Sequence, residues 1–280
     1  MSLEQNKGSR IAFWHTRERN EALNPPKSIL DQFNLKGKSA LVTGSSRGLG
    51  AAIAVAFAEA GANVAVHGSI SAPTSMQQKL LALGVDSVAL VGDVGDAAVC
   101  ARLVDETVHH FGTIDILVNN AGIIRRAPAA EHSEDDWKAV IDVDLTGVFR
   151  LTQQAGRQML KRGSGKIINI ASLLAFQGGI LVPSYAAAKG GVGQLTKAFA
   201  NEWASKGINV NAIAPGYMDT DNTEALRNNP ERARQILERI PAGRWGKPEN
   251  LAGAAVFLAS AASNYVHGHI LVVDGGWLNR

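Results

Sequence analysis

The stretch SALVTGSSRGLG (39–50), followed directly by AAIAVAFAEA (51–60), decides the fold. A short unbroken apolar run, a glycine-rich turn and an alanine-rich helical segment describe strand, turn and helix in that order. Glycine allows a sharp backbone turn and the close approach of a pyrophosphate. The helix N-terminus that follows offers unpaired N–H groups and the positive end of its dipole. Gly44, Ser46, Arg47, Gly48, Leu49 and Gly50 are therefore candidate phosphate-binding residues. With 29 glycines in 280 residues such a spacing also arises by chance. The strand before it and the helix after it give the motif its weight.

Outward from this unit the same alternation repeats. β-rich runs occupy 39–43, 63–67, 87–91, 114–118, 166–170, 208–213 and 269–274. Most are unbroken apolar runs, as strands covered on both faces should be. Helical composition fills 50–60, 74–83, 97–111, 135–161, 183–205 and 248–262. Ser133 followed by Asp136 reads as an N-cap, and Pro183 sits where a first helical turn accepts proline. Seven strands alternating with six helices predict an α/β fold: one doubly wound parallel sheet of seven strands with helices on both faces. No linker divides 36–280, so this stretch reads as a single domain. Residues 1–35 read as a polar extension with a Pro25-Pro26 break. It is either a disordered arm or a segment that docks through Ile11, Phe13 and Trp14.

Composition narrows the function classes. Apolar residues make up 46% of the chain, too many for a disordered protein. Lys plus Arg (28) exceeds Asp plus Glu (25) by three, with no basic block, which excludes a nucleic-acid signature. The single cysteine, Cys100, excludes an intrachain disulfide and a thiolate metal cluster and suits a reducing compartment. No apolar run reaches the ~18–20 residues of a membrane span. No signal-peptide core opens the chain, and Glu4, Glu18 and Glu21 argue against a transit peptide. The expectation is a cytoplasmic protein with no metal, no nucleic acid and no membrane among its partners.

The second strand should end in the residue that reads the adenosine ribose. NAD enzymes usually carry Asp or Glu there, about 20 residues beyond the glycines. This chain reads Val66-His67-Gly68-Ser69-Ile70, without an acid, while Arg47 in the glycine turn suits a 2′-phosphate. The reading favours NADP over NAD, with Ser69 beside the ribose.

Tyr185 and Lys189 are four apart in a helical stretch and share a face. Ser172 follows the strand KIINI (166–170), where ligands sit in open α/β sheets. A phenol titrates near 10, and a nearby ammonium favours its ionised form. Lys189 is therefore expected to lower the Tyr185 pKa. Tyr185 would exchange a proton with a substrate oxygen while a hydride moves to or from a nicotinamide, and Ser172 would hydrogen-bond the same oxygen.

Together these residues resemble the short-chain dehydrogenase/reductase family, from about Leu35 to Trp277. The likeness rests on the turn TGSSRGLG, Asp93-Val94, Asn119-Asn120-Ala121-Gly122, Ser172 with Tyr185 and Lys189, Pro215-Gly216 with Met218 and Thr220, and the closing VDGG (273–276). The resemblance implies a Rossmann-like fold. It implies that Asp93 and Val94 meet the adenine, and that Asn119, Asn120, Ala121 and Gly122 line the cofactor ribose. Tyr185 and Lys189 would hold the nicotinamide ribose, with Ile213, Pro215, Gly216, Met218 and Thr220 around the nicotinamide. It also implies a homotetramer. One departure stands out: Asp144 occupies the place of an Asn that supports a water-linked proton relay through the lysine. An ionised Asp accepts hydrogen bonds but cannot donate them.

Within the family, NNAGIIRRAP, INIASLLAFQGGILVPSYAAAKGG, NEWASKGINVNAIAPGYMDTDNT and RIPAGRWGKPENLAGAAVFLAS are similar to the sugar-acid 5-dehydrogenases. A sugar-acid carboxylate must meet a positive charge in the cleft. Arg125 and Arg126 follow the fourth strand and offer the planar fork that binds carboxylate through two bonds. Neighbouring loop residues point apart, so one of them, Arg126 by preference, should face the ligand. Gln177 and Trp245 are candidates for binding hydroxyls and covering the substrate. Two other readings remain: a 3-oxoacyl-thioester reductase, and a nucleotide-sensing binding protein without catalysis.

Overall fold

Leu41 enters one helical layer and its neighbours Ala40 and Val42 enter the other, because successive strand residues point to opposite sides of a sheet. That alternation runs through the centre of the computed structural model, which describes residues 28–280. The strands are β1 (Ser39–Val42), β2 (Asn63–Gly68), β3 (Ser87–Val91), β4 (Ile116–Asn119), β5 (Gly165–Ile170), β6 (Ile208–Pro215) and β7 (Ile270–Val273). They form one seven-stranded sheet in the order β3-β2-β1-β4-β5-β6-β7, and every pairing is parallel. The expected single-domain, Rossmann-like doubly wound sheet is what the chain forms.

The helices are α1 (Gly48–Glu59), α2 (Thr74–Ala82), α3 (Ala97–Phe111), α4 (Glu134–Ile141), α5 (Gly147–Arg162), α6 (Pro183–Trp203), α7 (Asp221–Arg227), α8 (Pro230–Arg239) and α9 (Ala252–Ala259). Ile53 and Phe57 of α1 and Leu258 of α9 cover one face of the sheet over Val64, Val66, Ile116, Val118 and Ile168. Leu103 and Val104 of α3, Leu151 and Met159 of α5 and Trp203 of α6 cover the other over Leu41, Leu117, Ile167 and Val210. The Ser133 hydroxyl accepts from the Asp136 N–H at 3.1 Å and starts α4 as read from the sequence. Pro183 opens α6.

Three features differ from the sequence reading. The helix expected over 135–161 is broken by a π-helical turn, Asp142–Thr146, closed by the Gly147 N–H on the Asp142 carbonyl. The wider turn carries the buried Asp144. Second, α7 and α8 were not anticipated; Leu226 packs α7, and Ile236 and Ile240 pack α8, against Leu173 and Trp277. Third, the helix expected from 248 opens as a 3-10 turn, Pro248–Leu251, and its α-helical part ends at Ala259. At the N-terminal boundary, Phe33 packs on Phe257 with ring centroids 6.4 Å apart, and Leu35 is buried in the core. Residues Ile29–Phe33 of the expected extension form a 3-10 turn capped by Ser28, while residues 1–27, including Ile11, Phe13 and Trp14, lie outside the described residues.

Candidate active site

The sheet order reverses between β1, which runs out to β2, and β4, which runs out to β5. Crevices open beyond the C-terminal ends of strands at such a point. Here the chain forms a cleft of about 870 Å³.

The glycine turn lies on one wall. Gly44 and Gly48 both have positive φ, +63° and +58°. A Cβ on Gly50 would fall 2.4 Å from both the Gly44 carbonyl oxygen and Asn120 Nδ2, so only glycine lets the turn close on the neighbouring loop. Asn120 Nδ2 donates to the carbonyls of Thr43 and Gly44 at 2.8 and 3.0 Å. Thr43 Oγ1 accepts from the N–H groups of Asn120 and Ala121. These bonds lock the turn after β1 to the turn after β4. Arg47 holds the N-cap position of α1 without a side-chain hydrogen bond to it. The first-turn N–H groups therefore face the cleft without a side-chain acceptor, as an anion site requires.

His67 shapes the same wall. Its Nδ1 accepts from the Gly44 N–H at 3.0 Å and its Nε2 lies 2.8 Å from the Gly92 carbonyl, to which it donates. Both bonds together require the neutral ring. Burial, opposed by the Gly92 bond and Asp93, holds its pKa below the usual 6.5. The sequence reading noted only the missing acid here and did not see that His67 ties the first three strands together at their ends. Ser69 and Ile70 follow, exposed on the rim. Asp93 and Val94 line the cleft, with Asp93 Oδ1 accepting from the Gly95 N–H. Arg47 is largely exposed and pairs with Asp221 at 2.6 Å across the cleft mouth.

Ser172 caps the 3-10 turn Leu173–Ala175, its Oγ accepting from the Leu174 N–H at 3.2 Å. Tyr185 and Lys189 come from the first turns of α6, with Lys189 Nζ 5.4 Å from the centre of the Tyr185 ring. Ser172 stands beside Tyr185 and favours the ionised phenol. Lys189 is almost fully buried, donates to the Ile170 carbonyl at 3.1 Å and lies 3.2 Å from Asp144 Oδ2. Burial works against the ammonium, but Asp144 and Tyr185 together hold its pKa above the ordinary lysine value. Asp144 is raised above the usual carboxylate value by burial, against the pull of Lys189 and the Ile123 N–H.

The expected lowering of the Tyr185 pKa is corrected by the structure. Burial pushes the phenol up, Asp144 pushes it further, and Lys189, Ser172 and Arg126 do not outweigh the two. The Lys189 ammonium favours the phenolate, and the Asp144 carboxylate 3.2 Å from it works the other way.

Asn120, Ala121, Gly122, Pro215, Gly216, Met218 and Thr220 all line the cleft with the glycine turn and the Ser172, Tyr185, Lys189 and Asp144 side chains. Asn119 lies behind it, buried and bonded to Thr152 and Asn169. Arg125 lines the cleft and pairs with Asp136 at 3.2 Å. Arg126 donates to the Asn222 carbonyl at 2.8 Å, bridging the loop after β4 to α7, and its charge reaches Tyr185. Gln177 and Trp245 stand apart from the cleft lining. Gln177 accepts from Trp277 Nε1 at 3.3 Å, and Trp245 packs edge-on against Tyr217 with centroids 5.6 Å apart. Asp221, Asn222 and Thr223 at the start of α7 also line the cleft and were not singled out from the sequence.

A dinucleotide-type switch point with a Ser–Tyr–Lys group on its floor is the architecture of a short-chain dehydrogenase/reductase, and the family model described as enoyl-(acyl carrier protein) reductase matches residues 44–278. The chain belongs to the short-chain dehydrogenase/reductase family. Among its relatives, 2-dehydro-3-deoxy-D-gluconate 5-dehydrogenase from Pseudoalteromonas atlantica is 54% identical over 254 residues, 90% of this chain and 100% of that protein. The protein of the same name from Bacillus subtilis is 54% identical over 252 residues, 89% of this chain and 98% of its own. Of the solved structures, gluconate 5-dehydrogenase from Burkholderia cenocepacia J2315 in complex with NADP and tartrate matches with a TM-score of 0.86 at 42% identity. That match covers 90% of this chain and 100% of the other.

Proposed function

We propose that this protein is an NADP-preferring oxidoreductase that interconverts a secondary alcohol and a ketone on a sugar acid, of the gluconate or 2-dehydro-3-deoxy-D-gluconate 5-dehydrogenase type. The observation that carries the reading is the convergence of Ser172, Tyr185 and Lys189 on the floor of the cleft whose far wall is the uncapped start of α1. The residues fit a nicotinamide dinucleotide: the turn is closed enough for backbone N–H groups to meet a pyrophosphate, and no acid at Ser69 or Ile70 would repel a 2′-phosphate. When bound, that cofactor supplies or accepts the hydride. The chain does the rest. Gly44, Ser46, Gly48, Leu49 and Gly50 bind phosphate, and Arg47 exchanges Asp221 for the 2′-phosphate. Ser69, Asp93 and Val94 bind the adenosine end. Asn120, Ala121, Gly122, Pro215, Gly216, Met218 and Thr220 orient the nicotinamide half. Ser172 holds the reacting oxygen, Tyr185 exchanges its proton, and Lys189 steadies both Tyr185 and the ribose.

Arg126 and Arg125 supply the charge for the substrate carboxylate. The place of Arg125 in the cleft lining supports this, as does the bond of Arg126 to the carbonyl of Asn222, itself a lining residue, although Arg126 is not part of that lining. Gln177 and Trp245 stand behind the substrate end, where Gln177 positions Trp277. A cytoplasmic homotetramer completes the reading. The free, buried Cys100 suits a reducing compartment, and family likeness carries the tetramer. Light scattering on the purified protein tests that state.

The test of function is a panel of aldonates and keto-deoxy acids, with acetoacetyl thioesters alongside, each assayed with both nicotinamide cofactors. Turnover of a sugar acid with higher kcat/KM for NADP(H) is expected. Turnover of thioesters alone would make the protein a 3-oxoacyl-thioester reductase, and cofactor binding without turnover would make it a nucleotide sensor. The Arg47→Ala variant should lose about tenfold in NADP over NAD preference, the scale of one charge-assisted pair.

A further inference from the structure

Asp144 stands in the turn where the long helix widens, and the proton transfer described above does not use it. It is completely buried, and its Oδ1 accepts from the Ile123 N–H at 2.7 Å. Its Oδ2 takes no backbone hydrogen bond and lies 3.2 Å from Lys189 Nζ. A Cβ on Gly122 would come within 2.8 Å of Oδ2, so the Gly122 backbone walls off that side. A carboxylate sealed in this way holds its charge only against a partner at hand, and Lys189 is that partner.

Seen from the phenol, this pairing changes the field. A lone ammonium 5.4 Å from the ring centre is a positive charge that favours the phenolate. An ammonium with a carboxylate at 3.2 Å is a dipole, whose effect falls off faster with distance. The charged and titratable groups that face Tyr185 are Lys189 from its own helix, Asp144 from the π-turn, Ser172 from the end of β5 and Arg126 from the loop after β4. Asp144 is the one among them that opposes ionisation of the phenol.

We propose that Asp144 is a positioning residue that offsets the Lys189 charge, so that Tyr185 stands as a proton donor at neutral pH and the site suits ketone reduction there, with alcohol oxidation favoured only in alkaline solution. The inference rests on the oxidoreductase reading above. In reduction the ketone carbon gains the hydride given up by the reduced nicotinamide, and its oxygen takes the phenol proton, leaving alcohol, oxidised nicotinamide and tyrosinate. Oxidation reverses each transfer and begins from tyrosinate. The overall equilibrium is untouched, and what moves is the pH at which each direction runs fastest.

Asp144→Asn keeps the size of the side chain and one acceptor oxygen for the Ile123 N–H, while Lys189 keeps the Ile170 carbonyl. The first readout needs neither cofactor nor substrate. Tyrosinate absorbance is titrated in the protein and in its Tyr185→Phe variant, and the difference isolates Tyr185 from Tyr217 and Tyr265. The expected midpoint lies above the ordinary phenol value of about 10, and in the Asp144→Asn background it falls by about one pH unit. The second readout is the pH profile of kcat for alcohol oxidation. It should shift to lower pH by the same amount, raising the rate at pH 7 about tenfold. A midpoint at or below 10 in the unaltered protein overturns the proposal even if the Asn variant does not fold. An unchanged midpoint in a folded Asn variant overturns it as well. Absence of turnover on every sugar acid, with the titrations as expected, overturns the substrate assignment and leaves the role of Asp144 standing.

Discussion

The two ends of the cleft are built from different materials. The end proposed to bind phosphate is backbone: Gly44, Gly48 and Gly50, the first turn of α1, and the Thr43 and Asn120 bonds that fix one loop to the other. The end proposed to bind the substrate is side chain. Arg125 is paired with Asp136, Arg126 reaches across to the Asn222 carbonyl, and Arg227 pairs with Asp219 at 2.9 Å at the foot of α7. Backbone recognition tolerates almost no substitution and serves any dinucleotide. Side-chain recognition can be rewritten a residue at a time, so one fold serves many substrates.

The catalytic floor between the two ends separates chemistry from binding most sharply. Tyr185→Phe keeps the ring and removes the proton. It should lower kcat by about 10³-fold or more, the range of a lost general acid, while cofactor affinity measured by fluorescence quenching stays within about twofold. Near-normal turnover would remove Tyr185 from the chemistry. Lys189→Ala, which touches both Tyr185 and the ribose in this reading, should lower kcat and weaken the cofactor together.

The backbone end is probed by Gly50→Ala. The added methyl would lie 2.4 Å from the Gly44 carbonyl, so the turn must open. Strain of about 1–3 kcal/mol should appear as roughly a ten- to hundredfold weaker NADP affinity and a lower Tm, with little change in the KM for sugar acid. If affinity holds, the close approach does not define the phosphate site.

How much of this was legible in the sequence follows the same division. The seven strands and their alternation with helices, the glycine turn and the Ser172–Tyr185–Lys189 group are carried by local patterns: apolar runs, glycine spacing and a four-residue helical repeat. The helices α7 and α8 were missed, although Asn229 followed by Pro230 and the charge ladder of Glu231, Arg234 and Glu238 is a readable start and face. Their apolar content is low, so periodicity alone gave no core-facing stripe. The π-turn could not be read, because its only local mark is the buried Asp144, and what it faces lies 45 residues away. The phenol's direction of shift failed for the same reason: it depends on which charge stands behind Lys189 in space.

At the substrate end the effects are smaller, because both arginines are exposed and already engaged. Arg126→Ala and Arg125→Ala, made separately, should raise the KM for a sugar acid while leaving an uncharged ketone unaffected. About tenfold is expected for whichever residue meets the carboxylate, the scale of one charge-assisted hydrogen bond, and Arg126 is expected to give the larger effect. Equal, small changes on both substrates would show that neither arginine reads the charge.

The smallest expected effect concerns His67, where the backbone end itself depends on a side chain. Its ring must be neutral for Nδ1 to accept from the Gly44 N–H, and burial holds its pKa below 6.5. A protonated His67 loses that acceptor and carries a charge into the core. The stabilisation is therefore complete above about pH 6.5, the unfolded value, and is lost as the pH falls through the lowered folded value. One linked proton changes the unfolding free energy by at most about 1.4 kcal/mol per pH unit. His67→Gln offers an amide oxygen to the Gly44 N–H and an N–H to the Gly92 carbonyl without titrating. Thermal melts of both proteins from pH 7.5 to 5 should show a steeper acid-side fall in Tm for the unaltered chain, and the same contrast in NADP affinity, since Gly44 is part of the phosphate turn. Parallel Tm curves would mean that the imidazole is replaceable packing, and that the backbone end holds its shape without it.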